Sequence, residues 1–237
     1  MKDVLDTHTH TIASGHAYST LKEMALSAAD KGLELLGITE HAPSMPGTCH
    51  EFYFGNLRAV DRHAYGVELV LGAELNIIDY NGTVDLPEEK LKRIDYAIAS
   101  MHDQCIQPGT MAQNTAAIIG AIKNPYVNII GHPDDGYYTL DYEAIVLAAK
   151  EHHVLLEINN SSLRPDSHRS NAWENDTKML NFCKQHGVCI VMNSDAHFET
   201  AVGAHQYSQE LLTKVQFPES LVVNTSVEKF RSFLRKD

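Results

Sequence analysis

The sequence is short of thiols, of cationic side chains and of long apolar runs, and each shortage narrows what the protein can be. Its four cysteines, Cys49, Cys105, Cys183 and Cys189, form no C-x-x-C pair. They are too few and too scattered for a disulfide framework, so reduced thiols in a cytoplasmic protein are expected. Lysine and arginine number 19 against 31 acidic residues, a formal net charge of -12. Such a surface repels long polyanions, whose binding needs cationic side chains to neutralise phosphates, so no long nucleic acid is expected as a partner. No segment approaches the ~18 uninterrupted apolar residues of a membrane helix. The N-terminal MKDVLDTHTH lacks the apolar stretch of a signal peptide. Neither membrane insertion nor export is expected. Linkers, low-complexity stretches and abrupt changes of composition are absent as well, which predicts a single domain over 1–237.

What the chain has in excess is histidine, 14 in 237 residues. Their positions become informative once the apolar pattern is drawn. Short apolar runs alternate with amphipathic, helix-like stretches. Strands are expected at Val4-Leu5, Leu35–Thr39, Val67–Leu71, Tyr96–Ser100, Val127–Ile130, Val154–Ile158 and Cys189–Met192. Helices are expected over Thr20–Lys31, Met111–Ile122, Tyr142–Glu151 and Asn171–His186, with Gly32 at a helix end. Asn81-Gly82 signals a short hairpin excursion. The tail reads as a last strand, Leu221–Asn224, and a closing helix, Val227–Leu234. About seven βα units with doubly buried strands predict an α/β fold with a parallel sheet, closed as a barrel in preference to an open doubly wound sheet.

A metal-binding side chain lies at or just after the end of nearly every strand. His8 and His10 follow the first, His41 the second, Glu74 the third, His102 the fourth and His132 the fifth. Asp195 and His197 follow the seventh, whereas the sixth ends in the weaker ligand Asn159. In a barrel the C-terminal strand ends surround one mouth, so residues remote in sequence converge there. Residues two apart in extended chain project from one side, which lets His8 with His10, and Asp195 with His197, grip together. His16 lies in the loop ASGHAYS, within reach of the same mouth. Nitrogen-rich, thiolate-free ligands suit Zn, Fe or Mn better than Mg or Ca. The other histidines (His50, His63, His152, His153, His168, His186 and His205) read as ordinary structural or surface residues.

The segments DTHTH, SGHAYST, ITEH, GAE, MH, GHP, EINNSS and NSDAH occur in this order. Together they resemble the PHP (polymerase and histidinol phosphatase) family, in particular its trinuclear-zinc phosphatase branch. The resemblance runs from Asp6 to His197. It implies a distorted (β/α)7 barrel and three Zn2+ ions per chain, with Mn2+ or Fe as alternatives. It implies a first ion on His8, His10, Glu74 and Asp195, a second on Glu74, His102 and His132, and a third on His16, His41 and His197. Glu74 would then be a bridge. The matching HAYST and EINNSS runs make Tyr18, Asn160 and Ser161 candidate substrate contacts. Arg164 is the nearest cation to that run. The branch also implies a small phosphorylated substrate and a trimer.

The expected reaction is hydrolysis of a phosphate monoester by water activated on the metals, without a covalent phosphoenzyme. No side chain is assigned as the nucleophile or general acid. Asp6 or Glu40 would orient ligand imidazoles. Asp134 and Asp135 are unexpected at an anion site and would either cap the following helix or narrow substrate choice. Rival readings are a phosphodiesterase or nuclease of the same family, an amidohydrolase-type C–N hydrolase, and non-catalytic zinc binding. The second calls for a bridging lysine near the end of strand four, where this chain has His102.

Overall fold

The computed structural model describes residues 1–234. In chain order the elements are β1 (Leu5–Asp6), α1 (Leu21–Asp30), β2 (Leu35–His41), α2 (Phe52–Gly55), β3 (Glu68–Asn76), α3 (Glu88–Leu91), β4 (Ala97–Ser100) and α4 (Met111–Ile122). They continue with β5 (Val127–Ile130), α5 (Tyr142–His152), β6 (Leu155–Asn159), α6 (Ala172–His186), β7 (Ile190–Asn193), α7 (Gln206–Lys214) and α8 (Val227–Arg231). All seven strands are parallel and lie in sequence order.

The sheet curls until its two edges almost meet, as the expected barrel requires. Thr9 bridges Ala196, and the His10 amide donates to the Ala196 carbonyl at 2.9 Å. Lower in this seam the Thr7 amide donates to Asn193 Oδ1 at 2.8 Å. Asn224 fills the remaining gap. Its amide oxygen accepts from Met192 N, and its Nδ2 donates to the carbonyls of Leu5 and Met192.

Strand alternation sorts the core into two compartments. Leu5, Leu35, Val70, Ile98, Ile129, Leu155 and Val191, one from each strand, pack together on the barrel axis with Tyr96, Val223 and Phe230. Their sequence neighbours Leu36, Leu69, Leu71, Ile130, Leu156 and Ile190 face the helices. Each such buried aliphatic side chain contributes about 1.5–3 kcal/mol. Two residues beyond the axial ring, Gly37 leaves room that Tyr96 uses. A Cβ there would lie 2.0 Å from the tyrosine oxygen, which donates to the Thr7 carbonyl.

Helix starts follow local chemistry. Thr20 with Glu23, and Thr110 with Gln113, form capping boxes before α1 and α4. The hairpin expected at Asn81-Gly82 is present, with an antiparallel Ile77–Val84 bridge and Gly82 at φ 81°.

Three expectations need correction. β2 and β3 are longer than the apolar runs, so His41 and Glu74 sit within strands. Burial on both faces keeps these strands going where the apolar pattern has already ended. Leu221–Asn224 is no strand: it lies in the 3-10 turns Glu219–Leu221 and Val223–Thr225, with one bridge from Val222 to Ile190. The Asn224 side chain takes over the backbone bonds that a ladder would have made. The closing helix is shorter than expected, and the single-domain reading over 1–237 includes 235–237, which lie outside the described residues.

Candidate metal centre

Alternation that places leucines on the axis also aims the next residues into the mouth. On β3 the inward series is Val70, Gly72, Glu74, Asn76, and on β4 it runs from Ile98 through Ser100 to His102. On β6 it is Leu155, Glu157, Asn159, and on β7 it extends from Val191 through Asn193 to Asp195. His132 and Asp195 reach the mouth only through left-handed backbone, at φ 28° and 54°. Neither is glycine, and such conformations cost on the order of 1–3 kcal/mol, a cost often found at functional sites.

Glu74 is the hub. Its Oε1 lies 2.9 Å from His132 Nε2 and 3.2 Å from His102 Nε2. Its Oε2 lies 2.7 Å from His41 Nδ1 and 3.4 Å from both His8 Nε2 and His10 Nε2. Asp195 Oδ1 is 3.4 Å from His10 Nε2 and 3.7 Å from His8 Nε2. His197 lies beside His10, tilted, with ring centroids 4.4 Å apart, and the ring of exposed His16 lies 4.8 Å from that of His41 and 4.9 Å from that of His197. The chain thus gathers all nine predicted ligands around one mouth. Three subsets hold their donor atoms within 4.8 Å of one another: His8, His10 and Glu74; His41, Glu74 and His102; and His10, His41 and His197.

Hydrogen bonding tests whether this set fits a metal. His8 Nε2, His10 Nε2, His41 Nδ1, His102 Nε2 and Glu74 Oε2 are buried, and although they crowd together none makes a hydrogen bond of good geometry. An unsatisfied buried polar atom costs about 1–3 kcal/mol. Five in one cluster, all facing inward, are the atoms divalent ions would satisfy, so the residues fit the group.

The far side of three of these rings is held instead. His8 Nδ1 donates to Glu157 Oε1 at 2.7 Å, and His102 Nδ1 donates to Asn76 Oδ1 at 2.8 Å. His10 Nδ1 donates to Ser14 Oγ at 3.0 Å, and Ser14 Oγ donates to Glu40 Oε2 at 2.6 Å. These bonds fix which nitrogen faces the centre. Glu40 therefore acts on His10 through Ser14, while Asp6 touches no ligand imidazole. Glu157 escaped the sequence reading. It also accepts from the His132 amide at 2.7 Å and from Asn193 Nδ2 at 2.8 Å. The signal that would have found it is parity: it lies two residues beyond axial Leu155.

The electrostatics follow from this packing. Burial, with His41 and His197 adding to it, pushes His10 well below the usual imidazole range, so it is a neutral donor. Burial opposes charge on Glu74, but His8, His102 and His41 outweigh it and hold the carboxyl well below its ordinary value.

An open cavity of about 1030 Å³ lies above the cage. Tyr18, Asn160, Ser161 and Arg164 all line it. Tyr18 is on the rim, 76% exposed. Asn160 Oδ1 is engaged by the Tyr207 and Ser208 amides, and Arg164 makes two bonds to Asp166. The guanidinium beside the cage is that of Arg169, which sequence reasoning missed. It lies 3.2 Å from Asp195 Oδ2 and donates to Asn159 Oδ1 and Ser162 Oγ. Neither Asp134 nor Asp135 caps α5, a role that falls to Asp141. Asp134 is buried with both oxygens unpartnered, and burial pushes its carboxyl up to about 7. Asp135 lines the cavity. Of the histidines read as ordinary, His205 is fully buried between two carboxylates.

Comparison with known proteins adds the following. A family model described as PHP domain matches residues 6–216. A probable phosphatase of Caldicellulosiruptor bescii is 49% identical over 98% of this chain and 95% of its own length. A probable phosphatase of Clostridium novyi is 46% identical over 99% and 96%. Histidinol phosphate phosphatase from Lactococcus lactis, solved with zinc, L-histidinol and phosphate, superposes with a TM-score of 0.63 at 19% identity, covering 92% of this chain and 95% of that one. A dihydroorotase superposes at 0.51 with 12% identity, over 98% and 69%. These two likenesses concern the fold alone.

Proposed function

The chain belongs to the PHP domain family, and from that premise we propose that it is a metal-dependent phosphatase acting on small phosphate monoesters at a centre of three divalent ions. It is a phosphoric ester hydrolase, and its close relatives are named as phosphatases. The observation that carries the reading is the cluster of five buried donor atoms, Glu74 Oε2 and the four imidazole nitrogens around it, that make no hydrogen bond of good geometry.

His8, His10, Glu74 and Asp195 would hold one ion, Glu74, His102 and His132 a second, and His16, His41 and His197 a third. Seven imidazoles and two carboxylates favour zinc, with Mn2+ or Fe next. When bound, such ions lower the pKa of water towards ~7 and polarise phosphoryl oxygens.

The chain's own residues set up the rest. Glu157, Asn76 and Ser14 hold three rings in the tautomer that offers a free nitrogen. Arg169, fixed by Asn159, Ser162 and Asp195, offers a planar cation to a phosphate oxygen. Tyr18, Ser161 and Arg164 on the cavity wall, with Asn160 behind them, would contact the rest of the ester. We read the whole chain as one PHP domain.

The dihydroorotase-like fold revives the C–N hydrolase reading only at the level of architecture. Here the atoms at the hub belong to Glu74, and among the described residues no lysine reaches it. Turnover of p-nitrophenyl phosphate, bis-p-nitrophenyl phosphate and dihydroorotate separates the classes. Monoester cleavage that chelation abolishes and zinc or manganese restores is the expected result. A fully metallated protein that turns over only the diester or the dihydropyrimidine would refute the proposal.

A further inference from the structure

Asp195 and His197 sit on the segment between β7 and α7, a segment with little secondary structure of its own. Asp6, fully buried at the end of β1, pins it at both ends. Its Oδ1 accepts from the Ser194 amide at 3.1 Å and the His8 amide at 3.5 Å. Its Oδ2 accepts from the Gly203 amide at 2.8 Å and from the Ser194 hydroxyl. Four donors and no acceptor require the ionised carboxylate. A charge in that position is costly unless a countercharge accompanies it.

Two cations are near. Lys31 Nζ is directed at the carbonyls of Thr200 and Val202, at 2.8 and 2.6 Å. The other is His205, buried just before α7. Its Nδ1 donates to Asp3 Oδ2 at 2.7 Å, and its Nε2 lies 3.8 Å from Asp6 Oδ1. Asp3 is steadied in turn by Gln209 and Asn224. Ala204 and Gln206 line the cavity, whereas His205 faces the seam.

We infer that His205 is a positioning residue: packed between Asp3 and Asp6 it holds the Asp6 side chain in place, and Asp6 then fixes the segment that presents Asp195 and His197. The inference rests on the reading of those two residues as ligands. Burial alone would lower the ring, but Asp3 and Asp6 outweigh it and push His205 up to about 10. The charged groups facing the ring are Asp3 and Asp6, and Lys31 also interacts with Asp6. Without the ring, Asp6 loses its support on that side, and its hold on Ser194 and Gly203 weakens. Only the ions that use Asp195 and His197 should suffer, because Glu74, His102 and His132 stand on other strands.

The test compares the full-length wild type with His205→Gln, by zinc content per chain and by competition with a chromogenic chelator. The variant should lose one or two ions, those sites weakening about 10- to 100-fold, while the remaining site keeps its affinity. Unchanged content and affinity, or equal weakening of every site, overturns the inference. Should the variant not fold, imidazole NMR of the metal-free wild type decides: His205 doubly protonated at pH 8 supports the pair, and a neutral ring refutes it. A wild type that binds no zinc would defeat the trinuclear reading but leave the NMR result as a test of the Asp6–His205 pair.

Discussion

In the lower half of the barrel, each strand contributes one apolar side chain to the axis, Ile98 and Leu155 among them. Four residues further along, the same inward parity delivers Glu74 on β3 and His102 just past β4, whereas Asp195, just past β7, arrives through left-handed backbone. The lower layer is satisfied by contact alone, and Phe230 packs edge-on against Tyr96 at its base. The upper layer leaves polar atoms buried without partners. One backbone rule therefore serves opposite ends: alternation decides direction, and height along the strand decides whether a residue meets carbon or a polar cage. Stability should reside below and chemistry above.

That division can be broken deliberately. The largest effect expected is on catalysis from Glu74→Gln, which removes the charge that two of the proposed ion sites share. Monoester turnover should fall on the order of 10³-fold or more, with fewer ions per chain by elemental analysis, while the metal-free protein keeps its far-UV spectrum. Loss of fold along with metal would erase the distinction between the layers. Leu155→Ala does the reverse: denaturant unfolding should show a loss of about 2–5 kcal/mol. The fraction still folded should bind metal as before.

Glu157→Gln tests the zone between the layers, because this carboxylate lies two residues above Leu155 yet holds His8 and His132. Metal affinity should weaken about 10- to 100-fold, read by chelator competition, with a smaller change in the melting temperature of the metal-free protein. The last comparison is of pH dependence. His205 has a folded value of about 10 against 6.5 for the free side chain. Because the folded value is raised, its stabilisation is complete below pH 6.5 and disappears as pH rises through about 10. Between these limits the metal-free wild type should lose stability that His205→Gln does not lose. Parallel curves for the two proteins would contradict the assigned ion pair.

The seven strands and the convergence of the nine candidate ligands were legible because most of these residues end or follow a short apolar run, and because H-x-H spacing puts both side chains on one side; Asp195 and His197 instead meet the others through left-handed backbone at Asp195. The supports were not, for a shared reason. Glu157 and His8 are 149 residues apart and meet only after the barrel closes. Arg164 is closer than Arg169 to the EINNSS run, but Asp166 takes its guanidinium, leaving Arg169 to fold back onto Asp195. His205 carries no local motif, since its partners lie at the other end of the chain. The Leu221–Asn224 run has a strand's composition, and only the side-chain bonds of Asn224 divert it. Sequence patterns report which way a strand faces; they do not report what a folded loop brings across the seam.

Metal content per chain bears most directly on the central claim. Purified protein loaded with zinc, desalted and quantified by elemental analysis should carry close to three ions per chain, falling when Glu74 is replaced. A value of one or zero for the loaded wild type would contradict the trinuclear centre.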